Sequence, residues 1–381
     1  MLACWILIGL ALALALASLR GERRRADYVA ACLAQPPAHD LPPATVIVPV
    51  KGQDEGLSDN LAALAALDYP DYELIVVARA PQDVPSGVVP ASARLVLAGE
   101  APAGAGEKIH NLLAALREAR AGSEILAFAD SDGRVGAGWL RALVAALARP
   151  NVGAATGYRW HLPDPPDFWS LVRAVWDSVI AGRFGPGENR FAWGGAMAIR
   201  REDFIRLRVE DFWKGSVSDD YGLSAAVRAG GLGIAWAPGA LVATSGHTSA
   251  AELVGWIRRQ MVITRVYQPG LWWPGFLAHL VYCGAMAAAV FLMFQGGLAG
   301  EYALVAQWGL GMLKGVNRAT LARAALPHYK PWFDRHGWVF AWWTPLATWV
   351  WLYAFLASAA GNRIQWRGRR YRLSNRGTRS F

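Results

Sequence analysis

Two aspartates one residue apart, Asp130 and Asp132, follow the apolar run Ile125-Leu-Ala-Phe-Ala129 and lead into Gly133. Carboxylates at that spacing, where a strand opens into a glycine turn, can grip a divalent cation, Mg2+ or Mn2+, through hard oxygen ligands shared with substrate phosphates. An ordinary Asp-rich turn has the same composition, so the pair alone leaves both readings open. A second acidic pair, Asp219 and Asp220, stands in Ser216-Val-Ser-Asp-Asp-Tyr-Gly222, just ahead of the helical stretch Leu223 to Ala229. Acids there complement a helix dipole, or one of them serves as general base toward an attacking hydroxyl. Arg258, Arg259 and Arg265 come next, immediately before an apolar run. Their planar forks suit a diphosphate, and interfacial snorkelling is the alternative use.

The elements that must position these groups lie between Pro42 and Arg258, where short β-branched runs alternate with helical patterns. Thr45 to Val50, Leu74 to Val77, Arg94 to Leu97 and Ile125 to Ala129 read as strands, and Leu57 to Leu67 and Lys108 to Arg120 as helices. Strand and helix in alternation give a mostly parallel sheet covered on both faces. Ligands of such sheets bind beyond the carboxyl ends of the strands, which is where Asp130 and Asp132 fall.

Apolar residues make up 54% of the 381 residues and charged ones 18%, which excludes a disordered chain. Leu2 to Ser18 is an uncharged run followed by Arg20, Arg23, Arg24 and Arg25. No basic residue precedes it, unlike a cleaved secretory signal, so it reads as a span with the following chain cytoplasmic. Leu271 to Gly297 and Val339 to Ala360 are each long enough to cross. Tyr302 to Leu313 is shorter: a span, a re-entrant piece or an interfacial helix. Several of the 19 tryptophans sit near the ends of such runs, as interfacial anchors do. The net charge is +9, and its basic segments, Lys314 to Arg335 and Arg363 to Arg379, lie beside apolar runs. They point to lipid headgroups and not to nucleic acid. Cys4, Cys32 and Cys283 fit neither a zinc spacing nor an even disulfide framework. The expected organisation is a membrane helix in 1–20, a cytoplasmic catalytic domain in 40–265 and a transmembrane or interfacial region with a basic tail in 271–381.

In this order the strings resemble those of a family 2 glycosyltransferase, and within it the ceramide glucosyltransferase branch. Pro49-Val-Lys51-Gly52 with Leu67-Asp-Tyr-Pro-Asp-Tyr-Glu73 is similar to the opening segment, and Lys108-Ile-His-Asn111-Leu112 to the Lys-x-x-Asn-Leu stretch. Asp130-Ser-Asp132 takes the place of the donor-binding D-x-D, and Phe191-Ala-Trp193-Gly194-Gly195 resembles the acceptor-side segment. Asp219-Asp220-Tyr221 is similar to Glu-Asp-Tyr, and Trp366-Arg-Gly-Arg-Arg-Tyr371 resembles the ending of bacterial members.

The resemblance implies a GT-A-type α/β domain with transmembrane helices at both ends, in a bacterial inner membrane. It implies inverting transfer of a hexose from a UDP-sugar to a membrane lipid acceptor, with glucose and ceramide as defaults. Asp220 would be the base, and Asp130 and Asp132 would hold the divalent cation, Asp130 also facing the nucleoside. Lys51, Lys108 and Asn111 would contact the donor, Arg259 and Gln260 the diphosphate, and Trp193, Gly194 and Asp219 the remaining substrate. The base-reading Asp expected after the second strand has one candidate, Asp83. The closing Gln/Arg-x-x-Arg-Trp motif falls on Arg259 to Ile263 and has Val262 and Ile263 in place of Arg-Trp, with Arg265 one turn on as substitute. Within the same class stand N-acetylglucosamine as the sugar and a hopanoid or diacylglycerol as the acceptor. A processive polysaccharide synthase would need more spans and the intact Arg-Trp. A catalytically decayed membrane partner protein is the rival from another class.

Overall fold

β-Branched runs become the central strands because both of their faces are covered. In the computed structural model, which describes residues 1–36, 41–102, 104–189, 191–296, 298–374 and 379–380, these are β1 (Ala44–Pro49), β2 (Tyr72–Ala78) and β4 (Ile125–Ala129). The expected domain start at residue 40 and the end of the second apolar run at Gly297 lie outside the described residues. Val46, Ile47, Val48, Ile75, Val76, Leu126 and Phe128 are all buried. Each such side chain stabilises the fold by about 1.5–3 kcal/mol relative to exposure.

The chain forms two compact units. The first holds Ala30–Pro165, Phe184–His247 and the tail from Asn362. Its sheet adds β3 (Ala93–Leu97), β5 (Val152–His161), β6 (Ala196–Arg200) and β7 (Gly233–Thr244) in the order β3-β2-β1-β4-β6-β5-β7. β1 pairs in parallel with β2 and β4, and β2 with β3, whereas β6 runs antiparallel between β4 and β5. The order turns back at β1 and β4, and that switch opens a crevice at their carboxyl ends. Helices α2 (Leu57–Ala65), α3 (Glu107–Glu118), α4 (Trp139–Leu147), α6 (Arg201–Arg206), α7 (Val209–Trp213) and α8 (Asp219–Ala229) complete the unit. A hairpin of β8 (Arg363–Trp366) and β9 (Arg369–Arg372), extended by β10 (Arg379–Ser380), also belongs to it. This is the expected α/β class with a mostly parallel sheet, with apolar helices toward both ends of the chain.

The second unit is helical, with α1 (Leu2–Ala34) as far as Val29, α5 (Phe168–Ala181), α9 (Ala250–Tyr267), α10 (Pro269–Phe294), α11 (Leu298–Ala325), α12 (Lys330–His336) and α13 (Trp338–Ser358). Among the described residues three helices, α1, α10 and α13, are long and apolar enough to cross a membrane. α1 continues through the arginine cluster because Arg, Ala and Glu are good helix formers, and it stops short of Pro36. The short run Tyr302 to Leu313 lies inside the longer α11.

Tryptophans divide between two roles. Trp176 stacks on Trp351 at 4.1 Å between ring centroids, and Trp272 donates its indole N–H to Ser358 Oγ at 3.0 Å, both inside the unit. Trp273, Trp338 and Trp342 are exposed on it. The basic residues divide as well. Arg25 and Arg318 turn inward onto the buried Glu22, and Arg25 also donates to the Gly182 carbonyl. Arg318 thereby ties α11 to α1, and Arg25 ties α1 to the end of α5, so both are engaged inside the unit.

Candidate active site

The carboxyl end of β4 delivers Asp130 and Asp132 to the switch point. Asn60 of α2 donates to the Ser131 carbonyl at 3.0 Å, and the Ser131 hydroxyl donates to Asp54 in the loop after β1. The turn between the two aspartates is thus pinned by the β1–α2 segment through both its backbone and its side chain.

α3 starts nearby and carries Lys108, whose ammonium donates to Asp130 Oδ1 at 2.7 Å and lies 3.0 Å from Asp219 Oδ2. One lysine therefore ties the Asp130-Ser-Asp132 turn to the acidic pair that opens α8. Its side chain is 16% exposed, against 4% for Asp219. Burial alone would lower Lys108, yet Asp130 and Asp219 hold its ammonium well above the ordinary lysine range. Burial would likewise raise Asp130, but Lys108 keeps it below the usual carboxylate range, with Arg159 and Arg367 assisting. Burial pushes Asp219 up to about 6; Lys108 opposes that shift, and Asp220 and Asp130 add to it.

Asp132 differs. Burial and the charge of Asp130 push its carboxyl up, and its Oδ1 is enclosed with no hydrogen-bond partner among the described residues. A half-buried carboxylate with an orphaned oxygen beside a second carboxylate fits a divalent cation. Among the described residues no group of three or more His, Cys, Asp or Glu forms a ready cage. Mg2+ and Mn2+ sites of this kind commonly use one or two carboxylates plus substrate phosphates. Asp130 and Asp132 are the residues that could hold it.

Asp220 stands in the first turn of α8 behind the N-cap Ser218. Its Oδ1 accepts from the Ser218 hydroxyl and from the Tyr221 N–H at 2.7 Å. Its Oδ2 receives only a long contact of 3.4 Å from the Gly194 N–H. A carboxylate anchored through one oxygen, with the other lightly engaged, can accept a proton from a hydroxyl. Gly194 permits this crowding, since a Cβ there would lie 2.7 Å from Asp219 Oδ2 and 3.0 Å from Lys108 Nζ. The Ala192 N–H donates to Ser224 Oγ at 2.8 Å, fastening the segment before Gly194 to α8.

The other sequence candidates fall at varying distances from this centre. Trp193 is buried, takes its N–H to Thr156 Oγ1 at 2.9 Å and lies under the Arg159 guanidinium at 5.4 Å. Asn111 is buried on α3 with its Oδ1 unpartnered among the described residues. Lys51 pairs with Glu107 at 2.7 Å, and Asp83 is gripped by Arg79 at 2.8 and 3.3 Å. Both of those charges are engaged within the unit. Arg259 and Gln260 lie on α9 and belong to the helical unit. Val262 and Ile263 are buried apolar residues of that helix. Arg265 donates to the Ser358 and Gly361 carbonyls at 2.7 and 2.6 Å, so it caps the end of α13.

Sequence reasoning missed Asp54, Arg159 and Arg367. Asp54 was findable, because it follows β1 at the switch point. Arg159 carries no local signal, since it lies in a strand that also holds Thr156, Tyr158 and His161 and belongs to no motif. Arg367 sits in a tail read as lipid-facing, yet it donates to the Lys51 carbonyl at 2.7 Å and to Asp54 Oδ1 at 2.8 Å.

The family model described as Glycosyl transferase family 21 matches residues 3–379. Comparison with curated proteins gives no match. Among solved structures the chain is similar to the mannosyltransferase PcManGT from Pyrobaculum calidifontis in complex with GDP-Man and Mn2+. The identity is 21% and the TM-score 0.44, over 91% of this chain and 99% of that one. It is also similar to glucosyl-3-phosphoglycerate synthase from Mycobacterium tuberculosis in complex with Mn2+, UDP and glucosyl-3-phosphoglycerate. There the identity is 17% and the TM-score 0.36, over 62% of this chain and 81% of that one. At these scores and identities the likeness does not extend to substrate or chemistry.

Proposed function

Because the chain belongs to glycosyl transferase family 21, the ceramide glucosyltransferase family, we propose that it moves a hexose from a UDP-sugar to a lipid hydroxyl with inversion. Glucose and ceramide are the default sugar and acceptor. The observation that carries this reading is the Lys108 bridge, which joins the Asp130-Ser-Asp132 turn to Asp219, the residue before the candidate base Asp220. In this reading Asp220 Oδ2 takes the proton of the acceptor hydroxyl, while Ser218 and the Tyr221 N–H hold the carboxylate in place. Asp130 and Asp132 would hold the divalent cation, which would supply Lewis-acid neutralisation of charge on the leaving group. Asn111, Lys51 and Asp83 are donor-side candidates, Trp193 and Gly194 acceptor-side ones, and Arg259 and Gln260 candidates for the diphosphate. Holding both substrates in register supplies much of the rate.

The arginines after the first span support a cytoplasmic side for the catalytic unit, and the membrane in this reading is a bacterial inner membrane. α1, α10 and α13 anchor it at the bilayer, where a lipid acceptor exposes its headgroup.

The test is UDP release by detergent-purified protein across a panel of nucleotide sugars and lipids that includes UDP-N-acetylglucosamine, diacylglycerol and a hopanoid. Release with one donor, dependent on lipid and abolished by chelator, is expected. No release with any donor from folded protein would instead support the decayed-partner reading. A second expected outcome concerns Gly194→Ala. Its Cβ must displace Asp219 or Lys108, and a misplacement near 1 Å costs about 10²-fold in turnover. Wild-type turnover in that variant would remove the acidic cluster from the reaction.

A further inference from the structure

The tail after the last apolar helix is not loose. Ile364, Tyr371 and Leu373 are buried, and the hairpin is fastened at three places in the catalytic unit. Arg367 holds the loop after β1 through the Lys51 carbonyl and Asp54. Arg369 pairs with Glu107 at 2.6 Å and Glu100 at 2.8 Å, and the Tyr371 hydroxyl bonds the Glu107 backbone. Glu107 is the residue before Lys108, at the start of α3. The strap therefore touches the two segments that flank the Asp130-Ser-Asp132 turn.

The turn itself carries a second signal. Arg367 has φ 44° and Gly368 φ 81°, a two-residue hairpin turn with both central residues left-handed. Asn-Gly or Asp-Gly is the preferred pair there, and a long side chain at positive φ is strained. An arginine in a place that favours asparagine points to a use for its guanidinium. That use is visible, because Asp54 takes Arg367 on one oxygen and the Ser131 hydroxyl on the other. A continuous link runs from the tail through Asp54 to the residue between the two aspartates.

We propose that the β8–β9 hairpin braces the donor site, with Arg367 as a positioning residue that holds the Asp130-Ser-Asp132 turn through Asp54 and Ser131. The proposal rests on reading that turn as the donor site. Arg367 does not touch the reacting atoms; it sets where the two carboxylates stand when nucleotide and cation arrive. Its field at Asp130 and Asp132 favours their ionised forms, in keeping with that role.

The test uses the full-length protein in detergent and compares wild type with Arg367→Asn, Asp54→Asn, their double variant and a control, Arg370→Asn, on an exposed residue of the same hairpin. Arg367→Asn keeps or improves the turn and removes only the guanidinium. Calorimetric binding of UDP with Mn2+ is the readout free of turnover, followed by donor KM and kcat. Each single variant is expected to weaken UDP–Mn2+ binding and raise donor KM about tenfold. kcat should change less than threefold and Tm by no more than a few degrees. The double variant is expected to be no worse than either single one, because both cut the same link, and Arg370→Asn should match wild type. Wild-type UDP–Mn2+ affinity in both folded single variants would overturn the brace and leave the donor-site reading standing. Absence of UDP–Mn2+ binding in wild type would overturn both.

Discussion

Asp220→Asn is expected to lower kcat for sugar transfer by about 10²–10⁴-fold, the range for loss of a positioned general base, while the protein stays folded. The substitution is nearly isosteric. An asparagine oxygen can still accept from Ser218 and the Tyr221 N–H, the two bonds that seat the side chain at the start of α8. The amide nitrogen then meets the Gly194 N–H across a gap of 3.4 Å, where little bonding is lost. What disappears is the ability to take a proton. Donor KM should therefore change little, and thermal unfolding should stay within a few degrees of wild type. Steady-state UDP release with a lipid acceptor, alongside a melting curve, decides the matter. Turnover within threefold of wild type would remove Asp220 from the reaction.

Lys108→Met should have a large effect on stability and binding together. The methionine fills a similar volume but leaves Asp130 and the buried Asp219 without their cation. Truncating one partner of a buried ion pair costs about 3–5 kcal/mol, which for a unit of this size lowers Tm by about 10 °C. The loss has a chemical side too. Without the ammonium, Asp130 is no longer held in its ionised form, and a protonated carboxyl is a poor cation ligand. UDP–Mn2+ binding should fall by more than tenfold even at temperatures where the variant is folded. Paired melting and titration experiments separate the two effects. An unchanged Tm would mean that the bridge contributes nothing to the fold.

The parts of this architecture that were legible share one property: their information is local. β1, β2 and β4 announce themselves as β-branched runs buried on both faces, and the Asp130-Ser-Asp132 turn follows from a strand running into Gly133. β6 hides because Ala196-Met-Ala-Ile-Arg200 has no strand signature and is made extended by antiparallel pairing with β4 and β5. Lys108, Asp130 and Asp219 each stood out, but nothing in their spacing states that one ammonium serves two carboxylates. The arginines were the hardest. Arg25, Arg265, Arg318 and Arg367 all look like juxtamembrane charge, and each is instead spoken for by a carboxylate or a carbonyl in the fold. A long side chain with five donors can be satisfied in many ways, so its sequence neighbourhood says little about which is used.

The position of the β8–β9 hairpin bears on biosynthesis. Residues 363–372 follow α13 in the chain, yet they belong to the unit that carries the Asp130-Ser-Asp132 turn. A ribosome that has finished the sheet has made a donor cleft without its brace, and every apolar helix must be translated before Arg367 emerges. On this reading maturation of the cleft is timed by the order of translation, and a nascent chain that still lacks the hairpin holds nucleotide sugar about tenfold more weakly than the finished one.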